Sequence, residues 1–94
     1  MKELIKVTIE DGLIESKDLS DNSSKEQILK AISKKVEELL KTPEKLFHLL
    51  YRLDVHEQKV KKAFLIKDPR ALCLQISELI LEREIQKAQS RSSF

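Results

Sequence analysis

The spacing of apolar residues predicts four helices after residue 23, two long and two short. The first covers residues 24–41, where Ile28, Ile32 and Val36 recur on one side at helical spacing. Short helices are predicted over residues 43–53 and from Val55 to about residue 64, and a long one over residues 69–89. Each start carries a capping signal: Ser23 with Glu26, Thr42 with Pro43, Asp54 with Glu57, and Asp68 with Pro69.

Residues 1–22 carry two conflicting patterns. Ile5, Val7 and Ile9 alternate with polar residues, which is the period of a strand, and Asp11-Gly12 is a strong hairpin signal. Leu4, Ile5 and Ile9 also fit one face of a helix, so strand, helix and disorder stay open. We therefore expect an all-α, compact bundle of four helices over residues 23–90. A possible short N-terminal β-hairpin or disordered segment precedes it, and a frayed tail, residues 91–94, follows.

The last predicted helix carries two apolar seams, although a helix on a small globule needs only one. The first seam faces the chain's own core: Leu72, Cys73, Ile76, Leu79 and Ile80. The second seam lies on the far side: Leu74, Leu81, Ile85 and Ala88. Because a large exposed apolar patch is uncommon on a soluble monomer, something must cover this second seam. We favour a homodimer through these four residues, and the alternative is cover by the N-terminal segment.

Composition limits the classes of protein. The chain has 94 residues, enough for one domain, with 40% hydrophobic and 36% charged residues. Its longest apolar run, residues 71–74, is far too short to span a membrane, so no membrane partner is expected. Cys73 is the only cysteine, which excludes an intramolecular disulfide and a cysteine-rich zinc site. With no leader segment visible, this indicates a reducing cytoplasm.

No arrangement of residues suggests catalysis, a cofactor or a metal. His48 and His56 fall on different predicted helices, and Cys73 lies among aliphatic residues. Paired acids such as Glu82 and Glu84 are interpreted as solvated surface charges. The single glycine, Gly12, excludes a glycine-rich phosphate loop. We therefore expect a protein that is not an enzyme.

A nucleic-acid-binding unit is the alternative function. Residues 46–66 have the layout of a helix-turn-helix, with Val55 and Val60 at packing positions. Asp54 replaces the usual glycine of the turn and Leu50 replaces the usual small residue, which weakens this interpretation. Residues 1–23 hold six acids against three lysines, whereas residues 24–94 hold 15 basic residues against ten acids. The candidate phosphate contacts are Lys59, Lys61, Lys62, Lys67 and Arg70.

Two segments, LFHLLYRLDVHEQKVKKAF and LILEREIQKAQSR, resemble a family of small uncharacterised bacterial proteins. The resemblance covers residues 46–91 and implies a compact all-helical protein of the bacterial cytoplasm. It implies no activity, cofactor or catalytic residue. The expected function is accordingly a non-enzymatic, helical protein–protein interaction module. The protein is expected to homodimerise through its C-terminal helix and to bind another cytoplasmic protein.

Overall fold

The computed structural model describes residues 2–15, 17, 19–20 and 22–92, and these residues form helices without a strand. Five helices follow in order: α1 Lys2–Glu10, α2 Lys25–Leu39, α3 Pro43–Leu53, α4 Glu57–Ala63 and α5 Pro69–Ser92. The all-α class and the compact fold are therefore confirmed. The predicted count of four helices and the N-terminal β-hairpin are wrong, because residues 2–10 form an additional helix.

Helix α1 follows the helical pattern of its sequence and not the alternating one. Its buried residues, Leu4, Ile5, Val7 and Thr8, have the spacing of one helical face, and the Thr8 hydroxyl donates to the Ile5 carbonyl at 2.8 Å. This face packs against α5, which gives the segment an apolar partner that a lone hairpin lacks. Burial against another helix thus decides the conformation.

Gly12 ends α1 instead of turning a hairpin. Its φ of +74° lies in the left-handed region, which glycine enters without steric cost. The Gly12 N–H donates to the Ile9 carbonyl at 3.0 Å, and the Leu13 N–H donates to the Thr8 carbonyl at 3.1 Å. These two bonds form a Schellman motif, which satisfies carbonyls that the last turn leaves free. The Asp-Gly pair therefore terminates a helix.

Helix α5 lies at the centre of the packing and contacts each of the other four helices. Its residues Ile76 and Ile80 are fully buried. The buried core of the described residues is aliphatic throughout, as expected for a chain with four aromatic residues. The largest fully buried apolar residues come from three helices, α2, α3 and α5: Ile28, Ile32, Leu46, Leu53, Ile76 and Ile80. None of the described helices has the length and apolarity to cross a membrane.

Two of the four predicted helix starts are confirmed at their proline. Pro43 and Pro69 are the first residues of α3 and α5, and the Ala71 N–H donates to Asp68 Oδ2 at 3.2 Å. The start predicted at Val55 is wrong, because α4 begins at Glu57. Asp54 instead ends α3 in the left-handed conformation, with φ 61° and ψ 43°. Asp54 thus fills the position that glycine usually occupies, since aspartate tolerates this conformation better than most residues.

The cap of α2 lies one residue later than predicted. Ser24, not Ser23, accepts a hydrogen bond from the Gln27 N–H at 3.1 Å, and Gln27 Oε1 accepts from the Ser24 N–H at 2.7 Å. The box predicted for Ser23 with Glu26 is therefore wrong. The Ser23 hydroxyl oxygen instead accepts from the Ser20 N–H at 2.9 Å, which holds the segment leading into the helix.

Replacing Ser24 by alanine is expected to lower the free energy of unfolding by about 1 kcal/mol, because one N–H of the first turn loses its acceptor. Glu26→Ala is the matched control and should change that free energy little, since Glu26 is exposed and takes no part in the cap. Urea denaturation of both variants measures the difference. Equal losses in the two variants would contradict this assignment of the cap.

Helix α5 also extends beyond its predicted end at residue 89. Arg91 belongs to the helix and pairs with Glu10 at the end of α1. The predicted frayed tail, residues 91–94, is therefore helical at its first two positions, and Ser93 and Phe94 lie outside the described residues. The added turn gives α5 a contact with α1 that the sequence pattern did not indicate.

Candidate interaction surface

Three of the chain's four aromatic residues lie together on the outer side of α3 and α4. Phe47 and Tyr51 are one turn apart on α3, and the rings of Phe47 and Phe64 have centroids 4.9 Å apart. Tyr51 is 89% exposed and Phe47 is 48% exposed. Aromatic side chains are enriched in protein interfaces, where they supply much apolar area at little entropic cost. Because the core is aliphatic, the presence of these aromatic residues at the surface makes this face the candidate interaction surface.

Phe47 and Tyr51 line an open groove of ≈ 810 Å³ between α3 and α4. We name it the aromatic groove. Its apolar lining consists of Phe47, Leu50, Tyr51, Val55 and Val60, and its polar lining of His48, Asp54, His56, Glu57 and Gln58. Within the part of the chain that the structure describes, the lining has two carboxylates and no lysine or arginine. The groove is therefore apolar with an acidic border.

The opposite end of α4 has the complementary character. Leu65, just after the helix, is 78% exposed. Lys61 and Lys62 occupy the last turn of α4, and Lys67 and Arg70 follow in the connection to α5 and its first turn; all four are exposed. The short α4 therefore has an acidic end beside the groove and a basic, apolar end one to two turns away.

The second seam of α5 is largely covered within one chain. Leu81 is 5% exposed, Ala88 is buried and Ile85 is half-buried, while Leu74 remains 48% exposed. Helix α1, from the N-terminal segment, packs on α5 and contributes Leu4, Ile5 and Val7 to the same core. A homodimer through Leu81, Ile85 and Ala88 would therefore first have to displace α1.

The five candidate phosphate contacts do not form one free basic surface. Lys59 Nζ lies 3.2 Å from Glu82 Oε1, and Lys61 Nζ lies 3.5 Å from Glu57 Oε1. Lys62, Lys67 and Arg70 are exposed near the α4–α5 corner. The ion pairs of the first two lysines reduce the positive potential that a phosphate backbone would meet. Binding of nucleic acid by these residues stays a prediction.

A buried acidic cluster, which we name the Glu84 cluster, joins α5 to the turn after α1. It consists of Glu84, Asp11 and Lys87. Glu84 is fully buried, and in the ionised form neither of its carboxylate oxygens has a hydrogen-bond donor among the described residues. Lys87 Nζ lies 3.0 Å from Asp11 Oδ2 and 3.8 Å from Glu84 Oε2. The interpretation of Glu84 as a solvated surface charge is therefore wrong.

The pKa values of the two carboxyl groups in this cluster are shifted in opposite directions. The pKa of Glu84 is raised from 4.5 to about 8, mainly by burial and also by the hydrogen bond and negative charge of Asp11, while the charges of Lys87 and Arg83 offset only part of the rise. Burial also pushes the pKa of Asp11 upward, but its interactions with Glu84 and Lys87 outweigh that effect and leave it below 3.8. At neutral pH, Glu84 therefore holds a proton and can donate it in a hydrogen bond to the Asp11 carboxylate.

The sequence did contain a signal for this burial. Glu84 lies three residues after Leu81 and four before Ala88, so it shares their face of α5. The charge of Glu84 instead favours the interpretation as a surface residue, because acidic side chains are usually exposed to solvent. Asp11 comes from a distant part of the sequence, and no local spacing links it to Glu84.

No arrangement for catalysis is apparent at the residues singled out for it. His48 and His56 line the aromatic groove, and Cys73 lies elsewhere, half-buried, with Sγ 3.5 Å from the Ser33 carbonyl oxygen. Burial raises the pKa of the Cys73 thiol, which keeps it protonated and a weak nucleophile. The described residues contain no cluster of three or more histidine, cysteine or acidic ligands.

Comparison with known proteins adds no family: no family model, curated protein or solved structure matches the chain. The resemblance of residues 46–91 to small bacterial proteins stays a prediction.

Proposed function

We infer that this protein is a self-associating helical interaction module, in which the aromatic groove of one copy receives the α4–α5 corner of a second. The observation that carries this is the exposure of Phe47 and Tyr51, with the half-buried Phe64 against Phe47, on a protein with an aliphatic core. Interface hot spots favour aromatic residues near a pocket. The second seam of α5, which the sequence predicts as the dimer interface, is mostly covered by α1. The aromatic groove remains as an apolar surface that is open to a partner.

Charge along α4 selects a second copy as the occupant. A two-fold axis near the middle of α4 brings two α4 helices together antiparallel, since the same patch then meets itself. Asp54, just before α4, and Glu57 at its first residue then face Lys61 and Lys62 in the last turn of the other α4. The ion pair between Glu57 and Lys61 within each chain is thereby exchanged for pairs between the two chains. Leu65, which is exposed to solvent in the single chain, then lies beside the aromatic groove of the second copy. Complementary charge of this kind fixes the register and orientation of an interface.

Sedimentation equilibrium over a concentration series tests self-association. The wild type is expected to approach twice the chain mass, and Tyr51→Ala combined with Leu65→Glu should remain a monomer. Both changed residues are mostly exposed, so the fold should survive. Leu74→Ala is the control, because it removes an apolar side chain that is 48% exposed on another face and should leave the dimer intact. A wild type that stays monomeric throughout overturns the proposal and assigns the groove to a different partner.

Charge reversal tests the antiparallel arrangement. Glu57→Lys and Lys61→Glu should each weaken the homodimer, because each places like charges opposite one another in both symmetry-related contacts. An equal mixture of the two variants should form a heterodimer, since a lysine then faces a glutamate at both contacts. Failure of the mixture to associate better than either variant alone would exclude this register.

A further inference from the structure

We propose that the Glu84 cluster is a pH-sensitive latch that holds α1 and the turn after it on α5. The geometry places one member, Asp11, on the turn that ends α1 and the other two, Glu84 and Lys87, on consecutive turns of α5. The cluster therefore spans the junction between the N-terminal helix and the central helix. A change in its charge therefore affects the packing of α1 against α5 most directly.

The protonated latch satisfies all three side chains. Glu84 donates its proton to the Asp11 carboxylate, which also accepts from Lys87 Nζ at 3.0 Å. When Glu84 loses the proton, two carboxylates face one lysine in a buried place. The carboxylate of Glu84 then has no donor closer than Lys87 at 3.8 Å. A buried anion without hydrogen bonds is costly, and movement of α1 away from α5 lets water reach it.

The charged groups around the latch hold the turn but do not replace the proton. Arg52 of α3 donates from Nη2 to the Asp11 backbone carbonyl at 2.9 Å, and Arg91 of α5 pairs with Glu10 at the end of α1. Arg83, the remaining basic group that acts on Glu84, donates from Nε to the Leu53 carbonyl at 3.2 Å. The first two contacts tether the C-terminal end of α1, and Glu84 is the member of the cluster whose charge changes as pH rises from about 5 to about 8.

The sign of the effect follows from the direction of the Glu84 shift. Docked α1 keeps Glu84 protonated to a higher pH than undocked α1, in which the side chain meets water. Docking therefore weakens as pH rises from about 5 to about 8 and levels off above that range. Asp11 acts in the opposite direction only as pH falls below its ordinary pKa of 3.8, outside this window.

Amide hydrogen exchange on the full chain tests the latch, with protection factors corrected for the intrinsic effect of pH. Amides of α1 should be less protected than those of α3, and their protection should fall about tenfold per pH unit between pH 5 and pH 7. Glu84→Gln should remove this dependence, because its amide still donates to Asp11 but does not titrate. Glu78→Gln, exposed on the same helix, is the matched control and should keep it.

Three outcomes overturn the proposal: α1 protection that does not change with pH, a dependence that survives in Glu84→Gln, or α1 amides as protected as those of α3. The carboxyl carbon of Glu84 in the wild type gives a second measurement that needs no variant. Its NMR shift should titrate above pH 7, together with the α1 amide resonances. Titration near the ordinary value of 4.5 would also overturn the latch.

Discussion

Leu81→Glu is expected to unfold the chain and not to release a folded monomer. Leu81 is 5% exposed and lies in the core formed with α1, so the substitution places a carboxylate among aliphatic side chains. An unpaired buried charge costs about 3–5 kcal/mol, to which the lost burial of leucine adds about 2 kcal/mol. A domain of this size has a total stability of about 5–14 kcal/mol. Circular dichroism with urea denaturation measures the loss.

Leu74→Glu is the matched control for this substitution, because it makes the same change on the same helix at a position that is 48% exposed. Its far-ultraviolet spectrum should stay helical and its urea midpoint close to that of the wild type. If Leu81→Glu is as well folded as Leu74→Glu and merely dissociates an oligomer, α1 does not cover the second seam.

The second large effect is a decline in global stability with rising pH. Unfolding exposes Glu84 and returns its pKa from about 8 toward 4.5, so the folded state binds a proton that the unfolded state releases between these values. The free energy of unfolding therefore falls as pH rises, by up to about 1.4 kcal/mol per unit, and the loss is complete near pH 8. Asp11 has a lowered pKa, so its contribution is present near neutral pH and is lost only in strong acid.

Urea denaturation at a series of pH values from 5 to 8 measures this slope. Glu84→Gln should flatten it, and at pH 8 this variant should be more stable than the wild type because nothing in the cluster has to ionise. Glu82→Gln, an exposed neighbour that pairs with Lys59, should keep the wild-type slope. A flat wild-type profile would show that Glu84 is already ionised in the folded protein.

The all-α class follows from patterns that one helix carries by itself. Proline at the first position of α3 and of α5 is such a local signal, and the structure confirms both starts. Residues 2–10 lacked such a signal, since strand and helix spacing both fitted. Residues 2–10 are helical because they pack against α5, which comes from a distant part of the sequence. Gly12 likewise serves a hairpin or a helix end equally well until the preceding segment is known.

The interaction surface was harder to predict because it depends on which faces remain uncovered. The two seams of α5 correctly indicated cover on both sides, but the sequence does not say whose residues supply it. The contact between Phe47 and Phe64 depends on the corner between α3 and α4, which no local spacing in the sequence specifies. The Glu84 cluster joins residues 73 positions apart in the sequence, beyond any periodic pattern.

The most direct test is an isotope-filtered NOESY spectrum of a mixed sample, in which half of the chains are labelled and half are not. The experiment separates contacts between chains from contacts within one. Contacts between chains are predicted at Phe47, Tyr51 and Leu65, whereas Leu81 and Ala88 should show contacts only within their own chain. Contacts between chains at Leu81 and Ala88, with none at the aromatic groove, would contradict both the cover by α1 and the proposed dimer.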